Sequence, residues 1–335
     1  MFPRRMGNRS RVVRDYLGRN PTIRGFPLEL QIGITNRCNL DCVFCPQVKS
    51  RRPRGAIDID FLADLVGQAA PFVDMIDLSY DGEPFLHPQW DRCVRVCRDI
   101  GVKAQFETNC LLLDGERASA VLKSGLAAIT LSIDAASEET YRSLKPSGDY
   151  GRVVANAEVF LALAARAPSR PYIQIQFVST PQNRHEAAAF RRYWAGKGAD
   201  AVHVKPMLNF GGSVGPAKNL AAVRPCIFLW TALAIQWDGK VPLCCLEIEG
   251  RTRMGDAAES GLRDIFRGKS FEDVRRLHVE GNYRRHPVCR DCWVPSVAWP
   301  FVLGAAFTGD LFRRKMINLL DRFRAPDSDH SRRSS

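Results

Sequence analysis

Leu28-Glu-Leu-Gln-Ile-Gly-Ile34 leads, three residues later, into Cys38-Asn-Leu-Asp-Cys42-Val-Phe-Cys45. The first stretch alternates apolar residues with others at period two, which predicts a strand. The second places three thiols in the loop that follows. Three thiolates so close in sequence can wrap one polynuclear centre. A closed tetrahedral zinc site takes four ligands, and no fourth lies nearby. A 4Fe–4S cluster held by three thiolates instead leaves one iron open to a small ligand. A zinc knuckle and a ferredoxin-like electron carrier are the other readings of the trio.

Beyond Cys45 the sequence alternates between two periods. Strands are expected over Met75–Tyr80, Lys103–Thr108, Ala128–Asp134, Tyr172–Thr180 and Ala201–Pro206. Helices are expected over Asp58–Ala70, Gln89–Ile100, Gly115–Ser124, Asp149–Ala165 and Arg184–Lys197. With the first strand, this predicts an α/β fold of six strand–helix units around a parallel sheet. Sites in such sheets form at the carboxyl ends of the strands. Three polar segments fall there: Tyr80-Asp81-Gly82-Glu83-Pro84, Thr108-Asn109-Cys110 and Ser132-Ile133-Asp134. Without a cofactor, they read as a turn, a small buried thiol and an Asp helix cap.

The spacing of Cys38, Cys42 and Cys45, with Phe44 before the last, resembles the signature of radical S-adenosylmethionine (radical SAM) enzymes. The resemblance spans about residues 28–295. It implies a partial (β/α)6 parallel barrel in which the three cysteines hold a 4Fe–4S cluster. The open iron then chelates the amino and carboxylate groups of S-adenosylmethionine, and one electron splits the sulfonium to give a 5′-deoxyadenosyl radical. An external reductant of the flavodoxin or ferredoxin type would supply that electron. Gly82-Glu83-Pro84 resembles the segment that holds the SAM amino group, where a cationic amine meets a carboxylate and glycine lets the backbone approach. Thr108, Asn109, Ser132 and Asp134 occupy positions at which relatives contact SAM. Cys110 departs from the pattern, since relatives usually carry glycine there.

A second cysteine group reads Cys226, Gly239, Cys244, Cys245 and Cys289-Arg-Asp-Cys292. Asp238-Gly239, between 232–237 and 240–243, signals a hairpin. The layout resembles the SPASM/twitch extension of radical SAM enzymes, a small β-hairpin/α unit that binds auxiliary clusters. Cys226, Cys244, Cys289 and Cys292 suffice for one auxiliary 4Fe–4S cluster, with a structural zinc site as the alternative. The choice between Cys244 and Cys245 stays open, and the four residues between Gly239 and Cys244 favour Cys244. Cys245 is left over, as an inert thiol or a hydrogen-atom donor to a substrate radical. Cys93 and Cys97 read as small buried residues.

Of 335 residues, 45% are hydrophobic and 25% charged, a soluble globular balance. No apolar run spans a bilayer and no signal-peptide stretch opens the chain, so membrane-integral, secreted and disordered classes are not expected. An odd set of eleven cysteines without a secretory segment points to a reducing, cytoplasmic compartment. The net charge of +12 sits mostly at the ends. Residues 1–24 carry seven arginines against one aspartate, and 311–335 seven basic against three acidic residues. The near-neutral body argues against a nucleic-acid partner. The domains expected are a basic segment 1–24, the partial barrel 25–215, the auxiliary-cluster domain 216–298 and a basic segment 299–335. In the last, apolar positions 312, 316, 319, 320 and 323 share a helical face, which suits packing or weak contact with an anionic membrane surface. The residues from 325 on read as disordered.

The substrate expected from the resemblance is a small polyhydroxylated molecule: an aminocyclitol, an aminoglycoside or a sugar nucleotide. The outcome is dehydrogenation or epimerisation. Lys205, Asp77 and Glu107 are candidate bases by position. The alternative is a maturase of ribosomal peptides, against which the short N-terminus and single auxiliary site count. A non-catalytic electron carrier would need no SAM pocket.

Overall fold

The computed structural model describes residues 2–214 and 225–292. The segment 299–335, with its expected helix over 311–323, and part of the 216–298 unit lie outside them.

Six strands follow one another in the order of the chain: β1 (Glu29–Ile32), β2 (Met75–Asp77), β3 (Lys103–Thr108), β4 (Ala128–Ser132), β5 (Tyr172–Ser179) and β6 (Ala201–Pro206). Each neighbouring pair is parallel. Sequential order without reversal is the winding of a barrel, not of a doubly wound sheet, and the fold is a partial barrel. The crossovers are helices: α2 (Ile59–Ala69), α3 (Trp90–Ile100), α4 (Gly115–Ser124), the pair α5 (Glu138–Leu144) and α6 (Tyr150–Arg166), and α7 (Ala187–Trp194). Their starts are set by side chains that accept the free amides of the first turn: Asp58 for α2, Asp114 for α4, Ser137 for α5 and Asp149 for α6. Gly101 and Gly125 end α3 and α4 in the left-handed conformation.

The two faces of the sheet differ sharply. Leu30, Ile32, Ile76, Phe106, Ile129, Leu131, Ile173, Ile175 and Phe177 belong to the buried core. The alternate positions put Gln31, Asp77, Gln105, Glu107, Thr130, Ser132, Gln174, Gln176 and His203 on the opposite face. Cross-strand pairing keeps them together: Gln31 beside Asp77, Asp77 beside Gln105, Glu107 beside Thr130 and Gln176 beside His203. Gln105 donates to Asp77 at 2.9 Å, and Gln176 to Ser132 at 2.9 Å and Glu107 at 3.3 Å.

Three elements go beyond the alternating pattern. Basic residues 1–24 form no loose tail: α1 (Phe2–Leu17) buries Val12, Val13 and Tyr16. Arg5 and Arg9 pair with Asp74, and Arg5 also donates to the carbonyls of Ala70 and Gly101. Second, 232–237 and 240–243 form no strand ladder with each other, and a single backbone bond, from the Gln236 amide to the Lys240 carbonyl at 2.9 Å, closes the turn between them. The turn forms, with Gly239 at φ 84°, but β7 (Ala232–Ile235) runs parallel to β1 along its whole length and becomes the seventh strand. Ala-Leu-Ala-Ile is apolar on both sides, as a strand buried between layers must be. The antiparallel ladder of the extension instead joins β8 (Lys240–Pro242) to β9 (Arg253–Asp256). Third, the extension packs onto the barrel through α8 (Phe228–Thr231), which meets α1 and β7, and α9 (Leu262–Arg267), which meets α2, while α10 (Lys269–Val279) packs on α9. Among the described residues no helix is long and apolar enough to cross a membrane.

Trp230 of α8 joins the extension to the N-terminus. It is 1% exposed, meets Tyr16 edge-on at 5.6 Å and donates to the carbonyl of Asn20 at 2.9 Å. Trp230→Ala is expected to cost about 3–5 kcal/mol, read from denaturant unfolding followed by far-ultraviolet circular dichroism. A cost within error of zero would mean that α8 packs independently of α1.

Candidate functional site

The three-cysteine loop has little regular structure of its own, and side chains brace it. Asn36 accepts the Gly55 amide at 2.8 Å and donates to the Pro53 carbonyl at 2.8 Å, while Thr35 donates to the Gly55 carbonyl at 2.6 Å. Gln47 and Arg54 both donate to the Asn36 carbonyl at 2.6 Å. The far side is tied to the end of α5: the Val43 amide donates to the Leu144 carbonyl at 2.9 Å, and Ser147 donates twice to Asp41. Cys38 is exposed; Cys42, Phe44 and Cys45 are half-buried. Restricted access to water, helped by the charges of the neighbouring thiols, pushes Cys42 up to about 12 and Cys45 up to about 11. Metal binding at these thiols therefore releases protons at neutral pH.

Gly82-Glu83-Pro84 is pressed against the start of this loop. A Cβ on Gly82 would lie 2.3 Å from the Thr35 carbonyl oxygen and 2.7 Å from that of Arg37, so only glycine fits. The Glu83 amide donates to the Arg37 carbonyl at 2.8 Å. Glu83 is 2% exposed, and its carboxylate accepts from the Thr108 hydroxyl at 2.8 Å and the Asn109 amide at 2.9 Å. Asn109 donates onward to Asn39 at 2.8 Å, back in the cysteine loop. Thr108 and Asn109 thus orient Glu83. Pro84 opens the short 3-10 turn Pro84–Leu86 after it.

Cys110 stands where the backbone itself favours glycine. Its φ is 66°, the left-handed region, and its thiol is fully buried. Asn156 holds this strained turn by donating to the Cys110 carbonyl at 2.8 Å.

The end of β4 is not an open polar shelf. One oxygen of Asp134 accepts the Val178 amide at 2.7 Å and the other meets Lys145 at 2.7 Å, with both side chains 2% exposed. Asp134 neither caps α5, which Ser137 does, nor has a carboxylate oxygen without a protein partner. Lys145 also donates to the Ser132 carbonyl at 2.7 Å. Burial pulls the Lys145 ammonium down, but Asp134 and Cys42 outweigh it and its pKa is raised. This buried cation beside the cysteine loop went unread in the sequence. Only its place in Leu144-Lys145-Pro146, just after a short amphipathic stretch, could have flagged it.

The second cysteine group converges too. Cys226, Cys244, Cys289 and Cys292 line one cavity whose other walls are mainly apolar, among them Leu229, Leu243 and Val288. Cys245 does not line it. His278 does: it is 4% exposed, stacks on Tyr283 and accepts the Cys226 amide through Nδ1 at 3.3 Å. The two cysteine groups are joined by side chains. Tyr80 donates to the Glu247 carbonyl at 2.7 Å, and Arg52 pairs with Asp81 while donating to the Ile248 carbonyl at 3.0 Å. Among the described residues, no three His, Cys, Asp or Glu side chains converge closely enough for a single metal ion.

Burial is the main cause that lifts Glu83 to about 7 and Asp81 to about 6, with hydrogen bonds and Arg52 opposing it. A carboxyl raised on folding binds more protons in the folded state, so it stabilises as pH falls from about 7 toward the unfolded value. His278, lowered to about 4 mainly by burial, acts in the opposite direction, so the diagnostic quantity is a difference. Relative to wild type, Glu83→Gln should lose on the order of 2 kcal/mol of the stabilisation gained between about pH 7 and pH 5 in the cluster-free protein. Parallel stability profiles in denaturant unfolding would mean that Glu83 titrates normally.

Residues 32–166 match the radical SAM superfamily and residues 226–293 the SPASM iron–sulfur cluster-binding domain. A tungsten-containing aldehyde ferredoxin oxidoreductase cofactor-modifying protein of Pyrococcus furiosus is 24% identical over 312 residues, covering 78% of this chain and 86% of its own. A probable GTP 3′,8-cyclase of Methanocella arvoryzae is 24% identical over 265 residues, covering 77% and 80%. Among solved structures, BtrN in complex with AdoMet and 2-DOIA superposes with a TM-score of 0.54 at 17% identity, over 80% of this chain and 93% of that one. Streptococcus suis SuiB bound to its precursor peptide SuiA gives 0.64 at 17% identity, over 81% and 71%. The two domains imply a 4Fe–4S cluster, S-adenosylmethionine and an auxiliary iron–sulfur cluster as cofactors. The sequential parallel barrel, the braced three-cysteine loop and the four-cysteine cavity agree with both matches, and the chain belongs to the radical SAM superfamily and carries a SPASM extension.

Proposed function

We propose that this protein cleaves S-adenosylmethionine reductively and takes a hydrogen atom from a small polyhydroxylated substrate, an aminocyclitol, aminoglycoside or sugar nucleotide. The outcome is dehydrogenation or epimerisation in the cytoplasm. The observation that carries the substrate class is the polar face of the sheet, where Gln31, Asp77, Gln105, Glu107, Ser132, Gln176 and His203 stand in register. A barrel lined by amides, carboxylates and hydroxyls suits a ligand rich in hydroxyl groups, since each can donate and accept.

The cofactors supply radical generation and an electron sink. The chain's own residues do the rest. Cys38, Cys42 and Cys45 hold the first cluster. Gly82 brings Glu83 to the loop, and Glu83, fixed by Thr108 and Asn109, receives the SAM amino group. Phe44 and Ser132 flank the cofactor. Asp134 is withdrawn from this set, because its carboxylate is already neutralised by the buried Lys145 ammonium, whereas the partners of Glu83 are a neutral hydroxyl and amides. Cys226, Cys244, Cys289 and Cys292 hold the auxiliary cluster. In dehydrogenation an electron leaves the substrate and a base takes the hydroxyl proton, with Asp77, Glu107 and Lys205 as candidates. In epimerisation Cys245 returns a hydrogen atom. A peptide substrate is the second reading, favoured by the fold shared with SuiB, which is described bound to a precursor peptide.

Anaerobic protein reconstituted with iron and sulfide, then given dithionite and SAM, should yield 5′-deoxyadenosine. Changing Cys38, Cys42 and Cys45 together to Ala should reduce that yield to background. No deoxyadenosine from the wild type, or undiminished yield from the variant, defeats the proposal. In deuterated water a panel of aminocyclitols and sugar nucleotides separates the outcomes. Deuterium on carbon marks epimerisation, and a product two electrons more oxidised marks dehydrogenation. Turnover of a peptide alone favours the second reading. Cys245→Ala should leave iron content intact; a fall would make Cys245 a cluster ligand.

A further inference from the structure

His278 is buried at the auxiliary cavity, yet its Nε2 has no partner among the described residues. A buried ring nitrogen without a partner is costly unless something absent from the protein meets it. Its chemistry is fixed by the other nitrogen. Nδ1 accepts the Cys226 amide at 3.3 Å, so Nδ1 carries no proton. In neutral imidazole the proton then sits on Nε2, which becomes a donor and not a metal ligand. The ring cannot easily turn away, because it stacks on Tyr283 with centroids 5.4 Å apart and sits on α10, whose Arg275 is anchored to the Leu229 and Phe266 carbonyls at 2.7 Å each. The four thiols already give a 4Fe–4S cluster its full ligand set.

We infer that His278 donates a hydrogen bond from Nε2 to a sulfur of the auxiliary cluster and thereby sets its reduction potential. This rests on the assignment of Cys226, Cys244, Cys289 and Cys292 as that cluster's ligands. Hydrogen bonds to cluster sulfurs stabilise the more negative, reduced state and raise the potential. His278 is thus a positioning and tuning residue. It holds the Cys226 backbone with one nitrogen and makes the cluster a better electron acceptor with the other, the property that dehydrogenation needs.

The test is potentiometric titration of the reconstituted full-length chain, followed by electron paramagnetic resonance, for wild type, His278→Gln and His278→Phe. Iron content is measured on each. Phe should keep the iron and shift the auxiliary potential to more negative values; Gln, which can both accept and donate, should fall between. Pulsed spectroscopy of the reduced wild type in light and heavy water should detect, beside the backbone amides that face Cys226 and Cys244, one further exchangeable proton that the Phe variant loses and Gln retains. If Phe loses its cluster, the difference in auxiliary potential between wild type and Gln still decides. An unchanged potential at full iron content, the same exchangeable protons in the Phe variant as in the wild type, or the strong nitrogen coupling of a bound imidazole overturns the inference alone. Wild-type iron amounting to one cluster, or zinc at the second site, overturns the ligand assignment and the inference with it.

Discussion

Where a side chain on residue 82 would begin, the carbonyl oxygens of Thr35 and Arg37 already lie, at 2.3 and 2.7 Å. That close approach is the constraint from which the rest of the site follows. It sets the end of β2 against the end of β1, so that a buried carboxylate, Glu83, stands beside a loop of three thiols. Glu83 is costly there: burial raises it to about 7, and the Thr108 hydroxyl and Asn109 amide only partly offset the loss of water. A carboxylate kept in such a place is poised for a cation. The amino group of S-adenosylmethionine is one, and its arrival would restore the charge that burial opposes.

The same strand ends reach the second cysteine group. β7 lies against β1, which brings the start of the extension to the barrel edge. Tyr80 and Arg52 then clamp the 244–248 loop through its backbone carbonyls. These contacts run from the residues flanking Glu83 to those flanking Cys244. The two cysteine groups therefore belong to one construction, with the polar face of the sheet beside them.

Much of this was legible because it depends on periodicity and on rare residues. Strands such as Lys103–Thr108 and Ala201–Pro206, and the helix Gly115–Ser124, fall at the boundaries expected from alternation and caps. The four thiols that line the second cavity were legible from their spacing together with the resemblance to the SPASM extension. What was not legible depends on tertiary context. The Asp238-Gly239 turn suggested two strands paired with each other, but a turn fixes direction and not partner, and the apolar Ala232–Ile235 found a better one in β1. Residues 2–17 read only as part of a basic segment because arginines dominate the composition, while the helix is anchored by a few buried apolar residues, Val12, Val13 and Tyr16. Asp134 looked like a ligand because it ends a strand. Only the fold brings Lys145 and Val178 to its two oxygens.

The central claim is that one cluster has an open iron facing Glu83 and the other does not. Electron paramagnetic resonance of the dithionite-reduced protein, recorded with and without S-adenosylmethionine, tests it most directly. The account predicts two cluster signals, of which S-adenosylmethionine perturbs one and leaves the other unchanged. A single signal, or a pair that S-adenosylmethionine leaves untouched, would contradict it.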